Sequence, residues 1–173
     1  MAITRRAVLA AGAVGLGSGV AVAVAVGETD VSAELSRDER ATVAAAAATW
    51  FPGEPFPVSG DDQRVVDAIE QIVMEVLAPS QRLAFRAVVR ALQLGTLAAR
   101  GRAFHDLDAE ARRDVLQVWA DPSVLPRRVA LDSLKAVVGM AYFRVPEVLD
   151  HVGYRQTCGV SLGRLNSVGR GRA

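Results

Sequence analysis

Two histidines, His105 and His151, and one cysteine, Cys158, are the chain's only side chains of the types most used as bases or soft metal ligands near neutral pH. His105 is followed by Asp106, an order in which a carboxylate could orient a general base. No nucleophile or third group accompanies the pair, and a solvated turn is the simpler reading. Asp61-Asp62 and Asp106 with Asp108 could be paired acids. Each pair precedes a helical pattern, so capping and dipole stabilisation account for them. There is no His-x-x-x-His pair or cysteine cluster for zinc, and no phosphate-cradling glycine loop after a strand. Arg112-Arg113 and Arg127-Arg128 read as exposed helix charges. No catalytic, cofactor-binding or metal residue is therefore expected in this chain; an enzyme with an unrecognised site would centre on His105.

The other chemistry lies at the N-terminus, in "MAITRRAVLAAGAVGLGSGVAVAVAVGE". Arg5 and Arg6 precede about twenty uncharged residues. Thr4-Arg5-Arg6-Ala7-Val8-Leu9 is close to a twin-arginine export signal, with Val8 where an aromatic is usual. Ala23-Val24-Ala25 and Ala21-Val22-Ala23 each offer a small-x-small processing site. The competing reading is a retained membrane anchor, because residues 7–26 are long enough to span. Beyond this segment 18 basic residues face 19 acids, a formal balance of −1. That balance gives no reason to expect nucleic acid as a partner. One cysteine in an exported chain cannot form an internal disulfide.

The elements that would position these residues are helices. Ser36-Arg37-Asp38-Glu39 is a capping box, and the helix it opens ends at Trp50-Phe51-Pro52-Gly53. Val43, Ala47, Trp50 and Phe51 give it an apolar stripe. After the rigid loop "PGEPFPVSG", a second helix starts near Asp61 or Asp62. Val65, Val66, Ile69, Ile72, Val73, Val76 and Leu77 repeat along it at helical spacing. Ser80 is placed to cap a third helix, loosened at its end by Gly95 and Gly101. Asp108 caps a fourth, with Val115, Leu116 and Trp119 inward. A long fifth helix runs from about Pro126 to Phe143, with Leu131, Leu134, Val138 and Tyr142 on one side. Pro146 opens a short sixth, ending at Gly153. No stretch alternates long enough for a strand. The fold class is all-α: a single compact bundle of five to six helices over 27–154, between a signal or anchor at 1–26 and a basic Gly/Arg tail at 155–173. The tail "RQTCGVSLGRLNSVGRGRA" has no acid and is expected to be flexible or ordered by a partner.

Aromatics gather at element ends: Trp50, Phe51 and Phe56 near the first loop, Tyr142, Phe143 and Tyr154 near the C-terminus. Most read as plugs where helices meet. The same residues beside a proline-rich loop are also candidates for a partner interface.

Four stretches together resemble the gluconate 2-dehydrogenase subunit 3 family. They are the twin-arginine leader, "LSRDERATVAAAAATWFPG", "FHDLDAEARRDVLQVWADPS" and "AYFRVPEVLDHVGYRQ", which extend over most of residues 1–156. The chain departs from the family's pattern in Trp50-Phe51, where an aliphatic pair is usual, and in the shortened loop "EPFPVSG". The resemblance implies a helical subunit without a cofactor of its own. It implies a large flavoprotein partner, an FAD-dependent dehydrogenase of the glucose-methanol-choline class. It also implies that this chain helps the partner mature and leave the cytoplasm through the twin-arginine machinery, to the periplasm or cell envelope. In that setting Cys158 becomes a candidate for an intersubunit disulfide, and the exposed surface should be more apolar than a monomer tolerates. The alternative is a stand-alone envelope interaction or structural protein, anchored by an uncleaved leader.

Overall fold

The computed structural model describes residues 34–154. Six α-helices follow one another: α1 (Arg37–Trp50), α2 (Gln63–Gln71), α3 (Pro79–Arg100), α4 (Ala109–Trp119), α5 (Leu125–Tyr142) and α6 (Pro146–His151). A π turn (Ile72–Val76) extends α2, and a 3-10 turn (Phe104–Asp106) joins α3 to α4. The described residues contain no strand beyond an isolated bridge between Pro52 and Ser59. This is the all-α bundle expected from the sequence. The segments 1–33 and 155–173, with Arg5, Arg6 and Cys158, lie outside the described residues.

Local signals set most helix starts. Ser36 Oγ accepts the Glu39 N–H, and the Glu39 carboxylate accepts the Ser36 N–H at 2.8 Å. Asp62 caps α2 through the Arg64 N–H, and Asp108 caps α4 through the Ala111 N–H. Such caps stabilise by about 1 kcal/mol each. Ser80 does not cap α3. The residue before a proline is kept out of the helical region, so Ala78 is extended and Pro79 takes the first helical position. The Gln81 side chain accepts the Ala78 N–H at 2.9 Å in place of a serine cap.

Nor does α3 loosen at Gly95. Leu92 and Thr96 are both buried around it, and Thr96 donates back to the Leu92 carbonyl at 2.7 Å. That packing outweighs the roughly 1 kcal/mol cost of a helical glycine. The helix stops at Gly101, whose φ of +68° is a left-handed conformation that suits a residue without a Cβ.

One core joins the elements. α1 contributes Val43, Ala45, Ala46 and Ala47, and α2 with its π turn contributes Val65, Ile69, Ile72 and Val73. Phe85, Val89 and Leu92 come from α3, Phe104 from the 3-10 turn, and Leu131, Leu134, Val138, Ala141 and Tyr142 from α5. α5 is central, packing on α2, α3 and α4. Val76, inward on a regular 3.6-residue period, is instead exposed. In the π turn the Leu77 N–H reaches back five residues to the Ile72 carbonyl. The wider turn rotates Val76 outward and leaves Leu77 against the core.

The alanine face of α1 lets backbone meet backbone. Gly60 lies so close to α1 that a Cβ there would stand 2.2 Å from the carbonyl atoms of Ala47 and 2.7 Å from the Ala48 nitrogen. Gly60→Ala should therefore destabilise the fold by about 3 kcal/mol. Urea or thermal unfolding of the variant measures this, and an unchanged midpoint would refute the close approach.

Candidate functional site

The loop after α1 and the end of α5 build an aromatic cluster. Pro52 stops α1, and Phe51 turns inward to stack on Tyr142, with ring centroids 3.9 Å apart and planes at 6°. Phe56 meets Phe51 edge-on at 5.6 Å and Tyr142 at 6.3 Å. Phe143 closes the other side, edge-on to Phe51 at 6.4 Å and to Tyr142 at 5.8 Å. Edge-on pairs of this kind each contribute about 0.5–1.5 kcal/mol beyond area burial.

Tyr142 anchors the group. Its ring is buried, and its hydroxyl donates to the Val58 carbonyl at 2.8 Å, tying the loop to α5. Burial raises the phenol above its ordinary pKa, so the neutral donor form is favoured. The Gly60 N–H donates to the Phe51 carbonyl at 2.7 Å and fastens the far end of the loop. Phe56 and Phe143 remain 36% and 48% exposed, beside the exposed Pro52, Pro55 and Pro57.

Four of the six aromatics named from the sequence thus come together. Trp50 packs partly buried against the main core, and Tyr154 stands exposed beyond α6. Among the described residues neither shares a ring contact with the cluster. Arg5, Arg6 and Cys158 lie outside the described residues.

A buried charge centre was missed by sequence reading. Glu39 is fully buried, and its carboxylate does more than cap α1. One oxygen accepts from Arg86 Nη2 at 3.0 Å, the other from Arg86 Nε at 3.2 Å and Arg90 Nε at 2.7 Å. Burial is the largest single influence on this carboxyl and would raise its pKa. Hydrogen bonds from Arg86 and the Ser36 backbone, with the charges of Arg86 and Arg90, together hold it below the usual range. Beside it on α1, Arg40 pairs with Asp67 and Glu70 of α2. Only the Ser36–Glu39 half of the arrangement is local in sequence.

His105 is not in a solvated turn. It lies in the 3-10 turn with its side chain 24% exposed, and its Nδ1 is 3.4 Å from Thr42 Oγ1. Its Nε2 stands 3.7 Å from Asp106, an ion-pair distance beyond hydrogen-bond length. Thr42 is fully buried, so the neighbouring hydroxyl cannot meet a solvent-borne substrate. Arg112, expected as an exposed charge, turns inward and donates to the His105 carbonyl at 3.0 Å. His105 and Arg112 thereby fix the α3–α4 connection. Asp61 accepts from Ser59, and Asp62 is held below the usual carboxylate range by hydrogen bonds from the Arg64 side chain and backbone. Among the described residues no three of His, Cys, Asp or Glu are grouped to hold a metal. A shallow open depression of about 380 Å³ lies between Arg64, Ala68 and Gln71 of α2 and Arg144, Val145 and Pro146.

An aromatic, proline-edged surface on a rigid helical frame can bind another protein by burying apolar area. Several of the frame's charges, Glu39, Arg86, Arg90, Arg40, Asp67 and Glu70 among them, are engaged in holding helices together. A family model, gluconate 2-dehydrogenase subunit 3, matches residues 37–156. The chain belongs to that family, named for a subunit of a dehydrogenase. Among curated proteins and among solved structures nothing matches it.

Two substitutions test this site. Tyr142→Phe should cost about 1–2 kcal/mol, because it leaves the buried Val58 carbonyl without its donor. Chemical denaturation reads the loss, and no loss would mean water replaces the hydroxyl. Glu39 gives a pH dependence. Its folded pKa lies below its unfolded one, so its contribution is complete above the unfolded value. It is lost as pH falls below about 4.5 through the folded pKa. Glu39→Gln should cost about 3–5 kcal/mol at pH 7 and flatten the acid limb of stability against pH. A variant with the parent's acid limb would exclude Glu39 as its source.

Proposed function

We propose that this chain is the small, non-catalytic subunit of an exported FAD-dependent dehydrogenase. It helps the catalytic flavoprotein mature and supplies the twin-arginine signal on which that partner is carried across the cytoplasmic membrane. The observation that carries this reading is the family match over 37–156 downstream of Arg5-Arg6. The helical domain gives no reason of its own for folding before export. A partner that must take up FAD in the cytoplasm has such a reason. Substrate and flavin then belong to the partner, and Phe56 and Phe143 with their prolines belong to the contact between the two. Cys158 is a candidate for a disulfide to that partner.

The second reading is a stand-alone envelope protein held by an uncleaved leader. Residues 7–26 favour it, being apolar and long enough to span. No helix among the described residues is long and apolar enough to cross a membrane, and in this reading the leader is the anchor.

The deciding experiment is purification of the C-terminally tagged chain from its native host, with an absorption spectrum and mass spectrometry of what accompanies it. A yellow complex containing a large flavoprotein is expected. A colourless, unaccompanied chain with Met1 intact would favour the anchored protein. Replacing Arg5 and Arg6 by lysine should leave the flavoprotein in the cytoplasm. Unchanged export of the partner would end the carrier reading. On a non-reducing gel of the complex, Cys158→Ser should abolish any shifted band that joins the two chains.

A further inference from the structure

We propose that the outward face of α5 is the surface by which this chain docks its catalytic subunit, and that the partner presents an apolar face bordered by carboxylates. This rests on the subunit reading above and names the surface and the complementary chemistry.

The inner face of α5 is fully used: Leu131, Leu134, Val137, Val138, Ala141 and Tyr142 are buried. On the opposite side Leu125, Val129, Ala136, Met140 and Phe143 recur at steps of four, seven, four and three residues. That spacing gathers them within about 60° of one another around the helix. All five are exposed, with Leu125, Val129, Met140 and Phe143 between 48% and 65% accessible. A single exposed leucine needs no explanation, whereas five apolar positions sharing one exposed side of a helix, interrupted only at Asp132 and Ser133, do.

One border of the stripe is net basic. Arg128 and Lys135 lie along one edge and Arg144 near its end. Asp132 is the only acid in α5, and it lies 3.8 Å from Arg128. The surface is therefore an apolar strip with one net-cationic edge, which an apolar face bordered by carboxylates complements.

Size argues against a second copy of this chain. The 18 residues of α5 rise roughly 27 Å, and a face roughly 11 Å wide gives on the order of 300 Å². Two such stripes would bury about 600 Å² in total, half of the roughly 1,200 Å² at the lower edge of stable interfaces. The stripe continues instead into the aromatic cluster, because Phe143 lies edge-on to Phe51 and Phe56 lies edge-on to Phe51 on its other side. A larger partner covering α5 and the proline loop together reaches the required area.

The test uses the full chain in its native host. With p-benzoylphenylalanine in place of Ala136, irradiation should join the chain to the flavoprotein at a peptide bordered by Asp and Glu. With the photo-reactive residue in place of Leu94, exposed on α3, it should not. The double variant Val129→Glu with Met140→Glu should lower co-purified flavin at least tenfold. Leu94→Glu with Leu97→Glu should leave it unchanged, with helical circular dichroism equal in both. Arg128→Glu with Lys135→Glu should lower capture and weaken its salt dependence. A crosslink from position 136 to a second copy, or to residues 7–26 of the same chain, overturns the proposal. So does full flavoprotein capture by the folded α5 variants, an outcome that leaves the subunit reading intact. If the unaltered chain captures no flavoprotein, both fall.

Discussion

The carboxylate of Glu39 holds together two helices that nothing local would join. It ends the helix cap at Ser36 and at the same time meets two arginines of α3, across sequence separations of 47 and 51 residues. A lone buried carboxylate would carry a desolvation penalty of several kcal/mol. Its attraction for two guanidinium groups and its hydrogen bonds offset that penalty only when the geometry is satisfied on every side. The position of α3 against α1 is thereby fixed in register, not merely in proximity. α5 then packs against α3, and the stripe on its outer face inherits its orientation from that chain of contacts.

The aromatic cluster is the second consequence of the same frame. Once α1 and α5 are placed, the proline that stops α1 delivers Phe51 onto Tyr142. The hydroxyl of Tyr142 then holds the loop that carries Phe56. The exposed rings are thus mounted on a fastened support, and side-chain ordering on association costs less when anchors are already held. The proposed docking role is served by such a surface more than by a deep cleft.

What the sequence could reveal follows interaction range. Ser36, Asp62 and Asp108 are readable as caps because donor and acceptor lie within three residues. Pro146 is readable because a proline at a first helical position needs no partner at all. Leu131, Leu134, Val138 and Tyr142 are readable through their period. Ser80 misleads because the steric demand of Pro79 on Ala78 moves the start by a residue or two. Gly95 misleads because tertiary burial around Leu92 and Thr96 overrides its propensity. The pairing of Glu39 with Arg86 has no local signature, and neither does the inward turn of Arg112. The gathering of Phe51, Phe56, Tyr142 and Phe143 could be suspected from element ends. That Trp50 and Tyr154 stand apart depends on which side of each terminus faces the core.

The π turn at Ile72–Val76 holds one residue more than a regular helical ladder would use over the same rise. In α3 or α5, gaining or losing a residue rotates everything downstream by about 100° and turns the buried face outward. At the π turn, losing one residue converts a wide turn into an ordinary one, and Pro79 can begin the next helix nearly where it does now. The joint between α2 and α3 is therefore a place where chain length can change without disturbing the faces on either side. It works as an expansion joint in an otherwise rigid frame.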